Sequence, residues 1–167
     1  MKYKSLIYCL WSLIIFTSCV RFTFSGASIP EGAKTFSVNY FVNNASLVNP
    51  SLSQLITDKL RDRIQSQTSL IMVNDNADLA FEGEIINYVV QPAALQANDV
   101  ASLNQLTITI NVKYTNKIDE KQSFSQQFSR YQQFSSTVSF SAVENTLTEQ
   151  IVNDLVDDIF NRAFINW

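Results

Sequence analysis

The chain has 167 residues, 12 basic and 15 acidic side chains, a formal charge of −3 and 46% hydrophobic content. That balance excludes a disordered chain and gives no basic footprint for nucleic acid. With no histidine and three glycines, the chain lacks the commonest general base, the commonest metal ligand and any glycine-rich phosphate loop, so no cofactor is expected.

Lys2 and Lys4 precede an apolar run of 11 residues from Leu6 to Phe16. A spanning helix needs about 20, so the run fits a signal peptide over residues 1–18 instead. Phe16-Thr17-Ser18-Cys19 resembles a lipobox, in which small residues precede a cysteine that is acylated and becomes the first residue of the mature chain. Phe16 stands where Leu is usual. The competing reading is an ordinary signal peptide followed by a chance cysteine. Cys9 falls in the removed segment and Cys19 is committed to lipid, so no disulfide is available. Each buried acyl CH₂ contributes about 0.8 kcal/mol to attachment. Val20 follows the cysteine where an inner-membrane retention signal would carry Asp, which points to the periplasmic side of the outer membrane. Residues 19–33 read as a lipidated tether. Its Phe22 and Phe24 suit either the bilayer interface or the core.

Residues 34–167 read as one domain. From Lys34 to Val42 the pattern alternates, with Phe36, Val38, Tyr40 and Val42 on one face, as in a strand. Asn49-Pro50 then opens a helix as N-cap and first helical residue, followed by Leu52, Leu55, Ile56, Leu60 and Ile64 at helical spacing. Leu70 to Val73 is a short strand or strand-like connector. Leu79 to Val90 is a long strand with Leu79, Phe81, Gly83 and Ile85 on one face; from Ile85 onward both faces turn apolar. Leu106, Ile108, Ile110, Val112 and Tyr114 alternate with polar residues in the clearest amphipathic strand. Lys117 to Lys121 form a hairpin loop. Gln122 to Phe134 return, with Phe124, Phe128 and Phe134 on one parity; Tyr131, on the other, implies a bulge or an aromatic on the open face. Ser141-Ala142-Val143-Glu144 reads as a capping box. It precedes a helix with Val143, Leu147, Ile151, Leu155 and Ile159 every fourth residue.

Two amphipathic helices and a sheet must each bury one face. The expected class is α+β, a two-layer sandwich with a mostly antiparallel four- to five-stranded sheet and both helices on one face. At this point the chain resembles the LptE family of lipopolysaccharide-assembly lipoproteins. The resemblance is carried by Phe24-Ser25-Gly26-Ala27-Ser28-Ile29-Pro30, Val38-Asn39-Tyr40-Phe41, Val48-Asn49-Pro50-Ser51-Leu52-Ser53 and Lys59-Leu60-Arg61-Asp62-Arg63. It continues through Phe81-Glu82-Gly83-Glu84-Ile85, Leu103-Asn104-Gln105-Leu106-Thr107-Ile108, Asp158-Ile159-Phe160-Asn161 and the closing Trp167. It implies a non-enzymatic role: a lipid-anchored outer-membrane protein that plugs the β-barrel LptD and can bind lipopolysaccharide.

Lys113, Lys117 and Lys121 around the hairpin are the candidate contacts for lipopolysaccharide phosphates; a solvated, edge-protecting loop explains them more simply. Glu82 and Glu84 share a strand face and invite comparison with a hydrolase pair, although solvent exposure accounts for them. Three functions follow. One is a component of the lipopolysaccharide translocon, and another a periplasmic lipid-binding or chaperone-like lipoprotein without a barrel. The third, an enzyme acting on glycans, lacks a catalytic partner for its carboxylates.

Overall fold

The computed structural model describes residues 28–47, 49–93 and 103–165. The signal segment, Cys19, Phe22, Phe24, Val48 and Trp167 lie outside the described residues. In chain order the elements are β1 (Thr35–Val38), β2 (Val42–Asn43), α1 (Leu52–Gln67), β3 (Ile71–Met72), β4 (Leu79–Pro92), β5 (Leu103–Asn116), a 3₁₀ turn (Glu120–Gln122), β6 (Phe124–Ser135) and α2 (Phe140–Phe164).

The sheet runs β3-β1-β4-β5-β6, with β2 also paired to β4. The α+β class and the two helices match expectation. The sheet, however, has six strands and is mixed: β1–β3, β1–β4 and β2–β4 are parallel, and β4–β5 and β5–β6 antiparallel. The parallel pairs arise because α1 carries the chain back over the sheet, and a parallel neighbour needs such a crossover. The helix α1 packs over β1 to β3, and α2 over β5 and β6, with the two helices side by side.

The strand β5 buries Leu106, Ile108, Ile110, Val112 and Tyr114, as its alternation requires. Against them α2 lays Leu147, Ile151, Leu155, Ile159 and Phe164, and α1 lays Leu52, Ile56, Leu60 and Ile64. Each such aliphatic side chain contributes about 1.5–3 kcal/mol on burial. Leu55 is only half-buried, at the margin of the α1 stripe.

Four local expectations shift. The alternation from Lys34 to Val42 does not run through as one strand. It breaks after Val38, so Phe41 is buried while Tyr40 and Val42 are 53% and 55% exposed. The cause lies on β4: a Cβ on Gly83 would sit 2.2 Å from the Phe41 ring. The missing side chain leaves room for the ring against β4 on the core face, and the Phe41 N–H donates to Thr57 Oγ1 of α1 (3.2 Å). The doubly apolar stretch of β4 is a bulge, because Ile85 pairs with Ile110 and Asn87 with Thr109, leaving Ile86 as the extra residue. By contrast, β5 and β6 pair without interruption from Leu103↔Ser135 to Tyr114↔Phe124, so Tyr131 is the open-face aromatic rather than a bulge.

The helix starts move as well. The first turn of α1 is set by Asn49, whose Oδ1 accepts from Ser51 N–H (3.1 Å) and Ser51 Oγ (2.8 Å), but the helix proper begins at Leu52. The capping box at Ser141 does not form. Helix α2 begins at Phe140 with Ser139 as N-cap and no side-chain cap bond. Glu144 turns inward instead, because Tyr88 and Asn49 offer it buried donors.

Candidate functional site

The helices cover one face of the sheet and leave the other open. Strand register arranges that open face in rows: Glu82–Lys113–Ser125, Glu84–Asn111–Gln127, Asn87–Thr109–Ser129, Val89–Thr107–Tyr131 and Gln91–Gln105–Gln133. Directly opposed side chains on one face are close enough to interact, and here they do. Thr109 and Ser129 share a hydroxyl bond (2.9 Å), and along β5 itself Gln105 Nε2 donates to Thr107 Oγ1 (3.1 Å), two residues on. Glu84 accepts from Asn44 Nδ2 (2.9 Å) and from Asn111 Nδ2 (3.4 Å). Val42, Asn44, Glu82, Glu84, Asn111 and Lys113 rim a shallow hollow of about 310 Å³. The face is therefore mostly Ser, Thr, Asn and Gln, with Glu82, Glu84 and Lys113 at one end, Val42 and Val89 among them, and one large exposed ring, Tyr131, at 57%.

The three candidate lysines do not converge on one partner. Lys113 lies on the open face, with Nζ 3.5 Å from Glu82 Oε2 and both side chains exposed. Lys117 Nζ donates to Asn76 Oδ1 (2.9 Å), on the turn before β4. Lys121 sits in the 3₁₀ turn, where its backbone N–H donates to Asp119 Oδ1 (3.2 Å). Glu82 and Glu84 each hold an amide or ammonium on the same exposed surface. Among the described residues no group of His, Cys, Asp or Glu is arranged to hold a metal ion, and no helix is long and apolar enough to cross a membrane.

Two polar clusters escape a sequence reading. In the first, the Tyr88 hydroxyl donates to Glu144 Oε1 (2.8 Å) and shares a bond with Thr148 Oγ1 (3.2 Å), while Asn49 Nδ2 donates to the same Glu144 oxygen (3.0 Å). It ties the turn before α1 to β4 and α2, and burial raises the Tyr88 pKa. In the second, Asp78 accepts from Lys34 N–H (2.9 Å), Thr35 N–H (2.9 Å) and Thr35 Oγ1 (2.8 Å). The bond from the Lys34 backbone, foremost, holds its carboxyl below the usual range. The only local signal was an Asp just ahead of a strand. Tyr88 carried none, since its partners lie 39, 56 and 60 residues away.

Several solved structures share the fold. A minor lipoprotein of Acinetobacter baumannii superposes with a TM-score of 0.52 at 13% identity, covering 78% of this chain and 91% of its own. A hypothetical protein of Chlamydia trachomatis gives 0.53 at 7% identity, covering 80% and 99%. A protein of Xanthomonas campestris gives 0.53 at 11%, covering 80% and 87%. At such identities the likeness establishes the fold alone. No curated protein matches the sequence. The family profile of LptE, described as lipopolysaccharide-assembly, matches residues 33–163. That span takes in every strand and nearly all of α2, so the chain belongs to the LptE family of lipopolysaccharide-assembly proteins.

Proposed function

We propose that the protein is an outer-membrane lipoprotein, anchored through acylated Cys19 on the periplasmic side. In this reading it docks with and plugs an LptD-type β-barrel and so assists the insertion of lipopolysaccharide into the outer leaflet. Family membership supports the assembly role. The finer reading is carried by one observation, the open face on which four of the five rows are polar. A barrel lumen is polar and wet, and a plug facing it gains from hydroxyls and amides where bare hydrophobes would lose. The protein acts by docking, not by chemistry: the carboxylates of Glu82 and Glu84 are engaged by Lys113, Asn44 and Asn111 on a solvated surface. A lipid carrier without a barrel would need an apolar cleft between sheet and helices. That layer is instead filled by Phe36, Leu52, Ile56, Phe81, Ile110 and Leu155, all at 0% exposure.

A pull-down from native membranes through a C-terminal tag, with partners identified by mass, tests the assignment. A large outer-membrane barrel should co-purify in near-equal amount; recovery of the protein alone would overturn it. We assign Lys113, Lys117 and Lys121 as contacts for lipopolysaccharide phosphates, which an ammonium binds as a point charge. Replacing all three by Ala should weaken lipopolysaccharide binding with no change in melting temperature, and unchanged affinity would remove the lysines from the site.

A further inference from the structure

The described chain enters the fold at a defined place. Ser28 N–H donates to the carbonyl of Phe164 at the C-terminal end of α2 (2.6 Å). The Phe164 ring lies against Phe81 and Tyr114, at 6.1 and 6.5 Å between centroids. Arg162 of the same turn stacks on Phe124 at the start of β6 (4.7 Å). Gly32 comes within 4.0 Å of Ile118, measured from where its Cβ would be. Residues 28–32 are thus seated at the end of the sheet that carries the β5–β6 hairpin tip. The far end, where Pro92 pairs with Asn104, is a whole strand away.

The lengths then decide the orientation. Nine residue steps separate Cys19 from Ser28, a reach of at most about 32 Å. The 14 residues of β4 span about 46 Å. An anchor of that length holds the hairpin end close to the lipid and cannot serve both ends alike. At the tip Ile118 is 46% exposed, beside Lys117 and Lys121, whose stems can lie along a bilayer surface with their charges in water. Asp119 and Glu120 balance those charges, so the tip suits the interface by its apolar residue and its position, not by attraction to anionic lipid.

We infer that the β5–β6 hairpin tip, with Ile118 foremost, rests on the phospholipid headgroup layer that holds the anchor, and that the Pro92–Leu103 end points away from it. This rests on the acylated reading of Cys19 given above. The test uses full-length acylated protein in vesicles of phosphatidylethanolamine and phosphatidylglycerol carrying headgroup nitroxide quenchers. Ile118→Cys and Gln91→Cys variants are each labelled with an environment-sensitive fluorophore, and the mass of the Cys19 peptide is measured on the same sample. Acylated protein should lose most of its emission from the label at 118 and keep it at 91. Equal quenching, stronger quenching at 91 or none at either site would overturn the orientation alone. An unacylated Cys19 with protein that fails to float with the vesicles would overturn the anchored reading, and the orientation with it.

Discussion

Tyr88 and Tyr114 are buried on the helix side of the sheet, at 2% and 1% exposure, yet their hydroxyls differ in worth. That of Tyr88 donates to Glu144 and meets Asn49 and Thr148. That of Tyr114 is buried and makes no hydrogen bond of good geometry, the Asn116 side chain being only a weak polar neighbour. Removing a satisfied buried hydroxyl strands its partners, at about 1–3 kcal/mol, whereas removing an unsatisfied one is neutral or stabilising. Tyr88→Phe should therefore lower the unfolding free energy by about 1–3 kcal/mol, and Tyr114→Phe should leave it unchanged or raise it. Urea titration of both variants decides the matter, and equal losses would refute the distinction. A pH series adds a second check. Burial pushes the Tyr114 pKa from 10.0 up to about 12. The unfolded chain then gives up this proton first, so the associated stability is intact below pH 10 and is lost as pH rises toward about 12. Tyr114→Phe should flatten that part of the alkaline decline.

At the scale of elements, the bulge at Ile86 makes an unusual prediction. Without Ile86 the ladder would run Ile85↔Ile110, Asn87↔Thr109, Tyr88↔Ile108 with unbroken alternation. Deleting Ile86, which is 38% exposed, should leave a folded protein with at most a modest loss of stability. Deleting Thr109 should not, because a one-residue slip within a continuous ladder turns Leu106 and Ile108 to the open face. Circular dichroism melts of the two deletions compare them directly. The same rule explains what was legible in the sequence. Strand β5 could be read because its two faces alternate without interruption, and α2 because its apolar residues recur every fourth position. The open face is legible as residue types: Thr107, Thr109 and Asn111 alternate with the apolar side of β5, and Ser125 and Gln127 fall on the parity opposite Phe124 and Phe128. What could not be read depends on residues far apart in sequence. Phe41 is buried instead of Tyr40 because Gly83, 42 positions on, makes room for its ring. Glu144 leaves its capping role because Tyr88, 56 positions back, supplies a buried donor. The parallel pairing of β1 with β4 needs the path of α1, which local alternation does not encode.

The whole molecule separates folding from placement. The described core is closed by the chain's own two helices, so folding should not depend on the barrel partner proposed above. The acyl anchor proposed at Cys19 would contribute something different, since confinement near a membrane raises the effective concentration of an embedded partner without adding a contact. A Cys19→Ser variant, exported to the periplasm but unable to take lipid, isolates that term. The described residues should keep their packing in this variant, including the bond from Ser28 to Phe164. It should therefore unfold cooperatively at the same temperature as the acylated protein, while much less barrel is recovered with it from cells. Raising its expression should restore part of the barrel, because mass action substitutes for confinement. If the variant melts at a lower temperature, lipid attachment is part of the fold's stability. If it captures the barrel as well as the acylated form at equal abundance, docking is driven by the protein surface alone and the anchor serves another purpose.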